Sequence, residues 1–274
     1  MKLKVNLFGN TFAHHDEPFS SCDGRESQHI EWDKGGTSEV SIHVDDGLFV
    51  EGPTHVEKKN RFGWLLEAES ITPQFYANAP RVLDHYEGIF TSSEALLRLD
   101  DRFKGPIPLG MIWIKNPAIC EKSKVVSMVA SNKADVAGHM YRLYWVEKLR
   151  GQVDFFGRGF KEIENKEEAL DDYMFSVAIE NNGFGMAAEN YFTEKLLDCF
   201  ATGTIPIYFG CSNIERFFNP EGVIKLDHTF DPAMLTPELY NSKIDAVKEN
   251  FEKCLQYGVG EDFIYTNHLK EMLT

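Results

Sequence analysis

The sequence predicts an α/β protein built as two halves that face each other across a cleft, the first half smaller and richer in strands. Three observations point there. From about residue 62 onward, strand-like and helix-like segments alternate at the spacing of parallel βαβ units with buried central strands. At roughly 100–200 residues per domain, a chain of 274 residues has room for about two hydrophobic cores. Lys115-Asn116-Pro117 then reads as a linker dividing residues 1–116 from residues 117–274, and small-molecule sites are common in a cleft of this kind.

The first half opens on a strand over Lys2–Phe8, followed by strands over Glu39–Val44 and Leu48–Glu51. Asp46-Gly47 between the last two is a hairpin signal. Phe62–Leu66 reads as a strand, and Pro73 suits the first turn of the helix that follows. Gly88–Thr91 is a short strand, Ser93–Leu99 a helix capped by Ser92 or Ser93, and Leu109–Ile114 another strand. The second half repeats this grammar. Strands are expected over Val125–Ala130, Val153–Phe156, Phe175–Ile179, Ile205–Phe209 and Val223–Leu226. Helices are expected over Val136–Leu149, Glu167–Tyr173, Thr193–Ala201 and Ile214–Phe218, with a mostly helical tail from Pro237 to Leu273. No solenoid repeat or low-complexity segment interrupts the pattern.

Composition excludes several classes. Hydrophobic residues at 43% and charged residues at 26%, with 21 Phe and 10 Tyr, describe a folded chain rather than a disordered one. The formal charge of −15 opposes any broad nucleic-acid or anionic-membrane surface, so an anion must be bound by a few local cations. Five scattered cysteines, with no C-x-x-C pair, support neither a disulfide framework nor a zinc knuckle. Reduced thiols in a cytoplasmic protein are the expectation. Met1–Gly9 reads as a strand rather than a signal peptide, and no run approaches the ~20 apolar residues of a membrane span.

The chemistry concentrates in one stretch. Glu180-Asn181-Asn182 ends a strand, Tyr191-Phe192-Thr193-Glu194-Lys195 leads into a helix, and Gly203-Thr-Ile-Pro-Ile-Tyr-Phe-Gly210 forms the next strand and turn. Thr193 is a good N-cap and Gly203 a natural C-cap. Leu196, Leu197, Phe200 and Ala201 make the buried stripe, with Lys195, Asp198 and Thr202 along another face. Lys195 opposes the helix dipole in its first turn. Either an anion, phosphate above all, is held there by the ammonium and the helix N-terminus, or Glu194 offsets Lys195 on a solvated helix end.

This ordered pattern resembles the donor-binding signature of glycosyltransferase family 10, the α-1,3/4-fucosyltransferases. The likeness runs from about Lys124 to Leu226 and more weakly from Phe62 to Trp113. It implies two facing Rossmann-like domains (the GT-B arrangement), a GDP-fucose donor, a glycan acceptor, and an inverting transfer that uses no metal or other cofactor. Carried over by position, it makes Arg142 and Lys195 partners of the diphosphate. Glu194 would hold ribose or donor-sugar hydroxyls, Tyr191 would line the nucleotide pocket, and Asn181 would lie beside it. Leu66-Glu67-Ala68-Glu69-Ser70 before Pro73 resembles the family's Gly-Glu-Asn-x-x-Pro segment, which makes Glu67 the expected catalytic base with Glu69 close behind. A carboxylate of that kind takes the acceptor hydroxyl's proton as the sugar centre develops oxocarbenium character.

The sequence departs from the family in a long loop from Asn182 to Asn190, read as a lid over the donor or a plain insertion, in Asn182 where a serine is usual, and in a short first domain. Another donor such as UDP-xylose, and a catalytically silent glycan- or nucleotide-binding subunit, therefore stay open. Asp-x-Asp is absent, and the adjacent aspartate pairs point their side chains apart. His14-His15-Asp16 reads as an ordinary loop, Gly157-Arg158-Gly159 as a plain turn, and Trp32, Phe62, Trp64, Phe75 and Tyr76 as core more than sugar-stacking faces.

Overall fold

The computed structural model describes residues 2–9, 25–33, 35–52, 54–108 and 110–273. In the first half, strands β1 (Leu3–Phe8), β2 (Ile30–Asp33), β3 (Val40–Val44), β4 (Arg61–Trp64), β5 (Gly88–Phe90) and β6 (Phe103–Lys104) form one sheet in the order β2-β1-β3-β4-β5-β6. Every pairing in it is parallel. Helices α1 (Pro73–Val82) and α2 (Glu94–Leu99) cover one face, where Tyr76, Ala79 and Leu96 pack with Leu48, Leu65 and Ile89.

The second half pairs β7 (Lys124–Val129), β8 (Asp154–Phe156), β9 (Tyr173–Ile179), β10 (Ile205–Phe209) and β11 (Ile224–Lys225) in the order β11-β10-β9-β7-β8, again all parallel. Alternate residues of β9 enter opposite cores. Phe175, Val177 and Ile179 meet Trp145 and Val146 of α3 (Ala137–Lys148), while Ala178 faces Leu196, Leu197 and Phe200 of α5 (Glu194–Ala201). The short α4 (Glu167–Leu170) precedes β9, and α6 (Pro237–Ser242) and α7 (Ile244–Cys254) follow the sheet. Burial on both faces explains the apolar runs by which these strands were read.

Four expectations need correction. Asp46-Gly47 makes no hairpin, and Leu48–Glu51 is no strand: Asp45–Phe49 is a 3₁₀ turn. The edge of β3 is taken by β4 running parallel, and Gly47 is needed because the carbonyl of Phe8 packs where a Cβ would sit. Among the described residues of Leu109–Ile114 there is no strand; Ile112 donates its N–H to the Tyr257 carbonyl at 3.0 Å, and the segment lies against α5 rather than in a sheet. The helix expected over Glu167–Tyr173 stops at Leu170, because Tyr173 already pairs with Lys124 in the sheet. Ile214–Phe218 shortens to a 3₁₀ turn over Ile214–Arg216.

The tail also divides. α6 and α7 stay with the second sheet, but α8 (Gly260–Ile264) and α9 (Lys270–Met272) cross back to the first. Ile264 and Leu269 bury against Val5, Ile30 and Val40; Trp32 donates its indole N–H to Glu261 at 3.0 Å, and Asp262 accepts the N–H groups of Gln28 and His29. Among the described residues, the first sheet has α1 and α2 on one face, and the tail covers the other.

Candidate active site

The carboxyl ends of β7, β8 and β9 open into a cavity of about 390 Å³, the usual position for a ligand in a parallel sheet. Arg142, Asn181, Glu194 and Lys195 line it together, although they come from three separate elements. Arg142 is carried on α3, which approaches closely because Gly138 leaves room for the carbonyl of Asn181. Thr193 caps α5, accepting the N–H of Lys195, and so sets Glu194 and Lys195 at the cavity wall.

Electrostatics distinguish this cavity from the rest of the chain. Five full cations line it (Lys133, Arg142, Arg158, Lys166, Lys195) against two carboxylates (Glu194, Asp198), in a chain whose formal charge is −15. Arg142 is buried, donates to Ser131 Oγ at 3.1 Å, and has no partner for its Nε among the described residues. Burial pulls its pKa below the ordinary arginine value. A buried guanidinium with so few partners is costly alone, and an anion in the cavity removes that cost.

Lys195 is engaged rather than solvated. Its ammonium lies 2.9 Å from Glu194 Oε1, 3.1 Å from Thr193 Oγ1 and 3.7 Å from Glu180 Oε2. Burial works against its charge, but the two carboxylates outweigh it and hold the ammonium above its usual range. Burial likewise works against Glu194, and the Lys195 and Lys166 ammoniums outweigh it, bringing its carboxyl down to about 2. The Glu194–Lys195 pair read from the sequence therefore exists, yet on a cavity wall and not on a solvated helix end. Asp198 and Thr202, placed on a second face of the helix, are buried as well.

Glu180, not singled out for a role, is the central strut. It is fully buried and accepts the Thr193 N–H at 2.9 Å and the Thr193 hydroxyl at 2.7 Å, tying the end of β9 to the cap of α5. Burial pushes its carboxyl up while Lys195 draws it back. Lys133, His139, Arg158 and Lys166 were also missed. Only Gly157-Arg158-Gly159 carried a local signal, since Gly157 sits at φ +101° where a Cβ would meet the carbonyl of Ala130.

Tyr191 does not line this cavity: its ring is buried, with Glu180, Glu194, Glu67 and Tyr76 among its charged and polar neighbours. Glu67 and Glu69 lie on the turn after β4, in the first half of the chain, and neither lines the cavity. Ser70 of that turn donates its N–H to Asn182 Oδ1 at 3.0 Å, which brings the turn to the cavity's edge. Glu67 is exposed and its carboxylate accepts the N–H of Ala68 at 2.8 Å. Glu69 is half-buried, and burial raises its carboxyl above the ordinary value despite a bond from Ser93. The 182–190 loop is clasped at both ends: Asn182 holds Ser70, and Asn190 donates to Glu94 at 2.8 Å and to the Ser92 carbonyl at 3.3 Å.

Among the described residues, no group of three or more His, Cys, Asp and Glu is placed to hold a metal, and no helix is long and apolar enough to cross a membrane. His14-His15-Asp16 lies outside them. Of the aromatics, Phe62, Trp64 and Tyr76 are core.

Residues 119–258 match the sequence model of the family described as glycosyltransferase family 10 (fucosyltransferase) C-term. The chain belongs to that family. Among its relatives, the alpha-(1,3)-fucosyltransferase FucT of Helicobacter pylori is 28% identical over 171 residues, covering 56% of this chain and 34% of that protein. The alpha-(1,4)-fucosyltransferase of Arabidopsis thaliana is 46% identical over 56 residues, covering 20% of this chain and 13% of the relative. The chain thus spans well under half the length of these curated relatives. An α1,3-fucosyltransferase solved with GDP superposes with a TM-score of 0.54 at 16% identity, over 99% of this chain and 90% of that one. Another, solved with GDP-fucose, gives 0.50 at 16% identity, over 94% and 82%. The family 10 chain therefore has the GT-B fold, two Rossmann-like domains facing across a cleft, which its two parallel sheets already describe.

Proposed function

We propose that this family 10 chain transfers fucose from GDP-fucose to a glycan hydroxyl with inversion at the sugar carbon. The observation that carries this reading is the reversal of charge in the cavity of an acidic protein, centred on a buried guanidinium whose Nε has no partner among the described residues. Arg142 and Lys195 hold the diphosphate, Glu194 and Asn181 face the ribose or donor sugar, and Glu180 keeps the cap of α5 in place.

The acceptor oxygen attacks the anomeric carbon, the bond from that carbon to the β-phosphate oxygen breaks, and GDP leaves with the electron pair. The acceptor's proton passes to a carboxylate of the first domain. Glu69 suits this task better than Glu67. It stands four residues before Pro73, the interval of Gly-Glu-Asn-x-x-Pro, and its half-buried carboxyl is shifted toward proton capture. The cations and the helix N-terminus supply the stabilisation of the leaving group.

A thermal-shift panel of GDP, UDP and CDP tests the donor. A nucleotide at about 100 times its Kd stabilises the fold by about 2.7 kcal/mol, so GDP is expected to raise the melting temperature most. A larger rise with UDP would replace GDP-fucose by a uridine donor such as UDP-xylose. Binding of donor without hydrolysis or transfer to any acceptor would leave a silent binding subunit. Transfer is also expected to run at full rate in excess EDTA, and a strict Mn²⁺ requirement would contradict the metal-free scheme.

A further inference from the structure

Lys166, just before α4, is one of the lining cations but is given no contact of its own with the donor in the reading above, and its ammonium sits at the junction of three groups of the cavity wall. It lies 2.7 Å from Asp198 Oδ2, 4.0 Å from Glu194 Oε1 and 4.2 Å from the centre of the Trp113 ring. Glu194 and Asp198 are one helical turn apart on α5, so their carboxylates project from the same side and repel. Asp198 is further held by the N–H of Trp113 at 2.7 Å, in the segment that joins the two domains.

The same oxygen of Glu194 that faces Lys166 carries the hydrogen bond from Lys195, at 2.9 Å. A diphosphate drawing Lys195 toward itself strips Glu194 of that partner. The carboxylate is then left on a wall where its side chain is only 15% exposed, beside the new negative charge. Lys166 is the ammonium within reach, lying about an ångström beyond hydrogen-bond distance.

Resting on the donor reading, we propose that Lys166 is a positioning residue that takes over Glu194 when the diphosphate engages Lys195. In the free protein the pairs are Glu194 with Lys195 and Asp198 with Lys166. With donor bound, the diphosphate holds Lys195 and Arg142, while Lys166 bridges Glu194 and Asp198. Its movement off the indole makes Trp113 a reporter of phosphate arrival.

The test is calorimetric titration with GDP and with guanosine, which lacks the phosphates. Lys166→Met is expected to weaken GDP about tenfold, the scale of one charged hydrogen bond, and to leave guanosine within about twofold. Lys166→Arg should recover most of the loss. In a Glu194→Gln background, where no charge is stranded, Lys166→Met should change GDP affinity less than about twofold, the signature of a coupled pair. GDP should change tryptophan fluorescence in the parent protein but not in Trp113→Phe. Equal losses for GDP and guanosine, or additive effects of the two substitutions, would overturn the exchange. If Lys166→Met does not fold because Asp198 is left buried without its ammonium, Lys166→Met with Asp198→Asn carries the same comparison. Absence of GDP binding to the parent protein would instead sink the donor reading itself, and this proposal with it.

Discussion

Glu69→Gln is expected to lower turnover by about 10²–10⁴-fold, the range for loss of a general base, while GDP affinity stays within about twofold. The amide keeps the size of the side chain and its bond with Ser93 but cannot accept the acceptor's proton. The pH dependence should carry the same mark. A base works only when ionised, so kcat/KM should fall as pH drops through the pKa of Glu69, which burial places above the usual carboxylate value. Glu67→Gln is expected to cost far less, because that carboxylate is exposed and already bonded to the Ala68 N–H. Initial rates of both variants at saturating donor decide the matter. The reverse ranking would move proton transfer to Glu67.

Arg142→Ala is expected to lose about 1.5–3 kcal/mol of GDP affinity by calorimetry, and Lys195→Ala a similar amount. The two should differ in the unliganded protein. Arg142 is buried with no partner for its Nε among the described residues, so removing it relieves a desolvated charge, and the ligand-free melting temperature should hold or rise. Removing Lys195 leaves the fully buried Glu180 and the nearby Glu194 without their shared ammonium, and the ligand-free protein should melt earlier. A substitution that weakens ligand binding without weakening the fold identifies a group kept for the ligand. Unchanged GDP affinity in both variants would refute the diphosphate assignment.

Much of the second domain was legible because its signals are local. Thr193 caps α5 wherever the helix goes, and Leu196, Leu197 and Phe200 repeat on one side at helical spacing. The alternation of β9 and β10 likewise follows from residue order alone. The first domain was harder. Ile30–Asp33 is an edge strand with one buried residue, and Phe103–Lys104 is two residues long, so neither carries a readable pattern. Asp46-Gly47 misled because a glycine forced by the close approach of the Phe8 carbonyl looks the same in sequence as one that makes a hairpin.

The amino-acid order by itself determined the succession of βα units and the cap and buried stripe of α5. These depend on contacts within a few residues, which periodicity records. Only the tertiary structure decided that the tail crosses back to the first sheet, that Glu180 braces the cap, that Glu69 is the more buried of two neighbouring acids, and that Lys166 and Asp198 join the cavity wall. Each of those depends on which distant segment displaces water from a side chain, and such contacts leave no spacing in the chain to read.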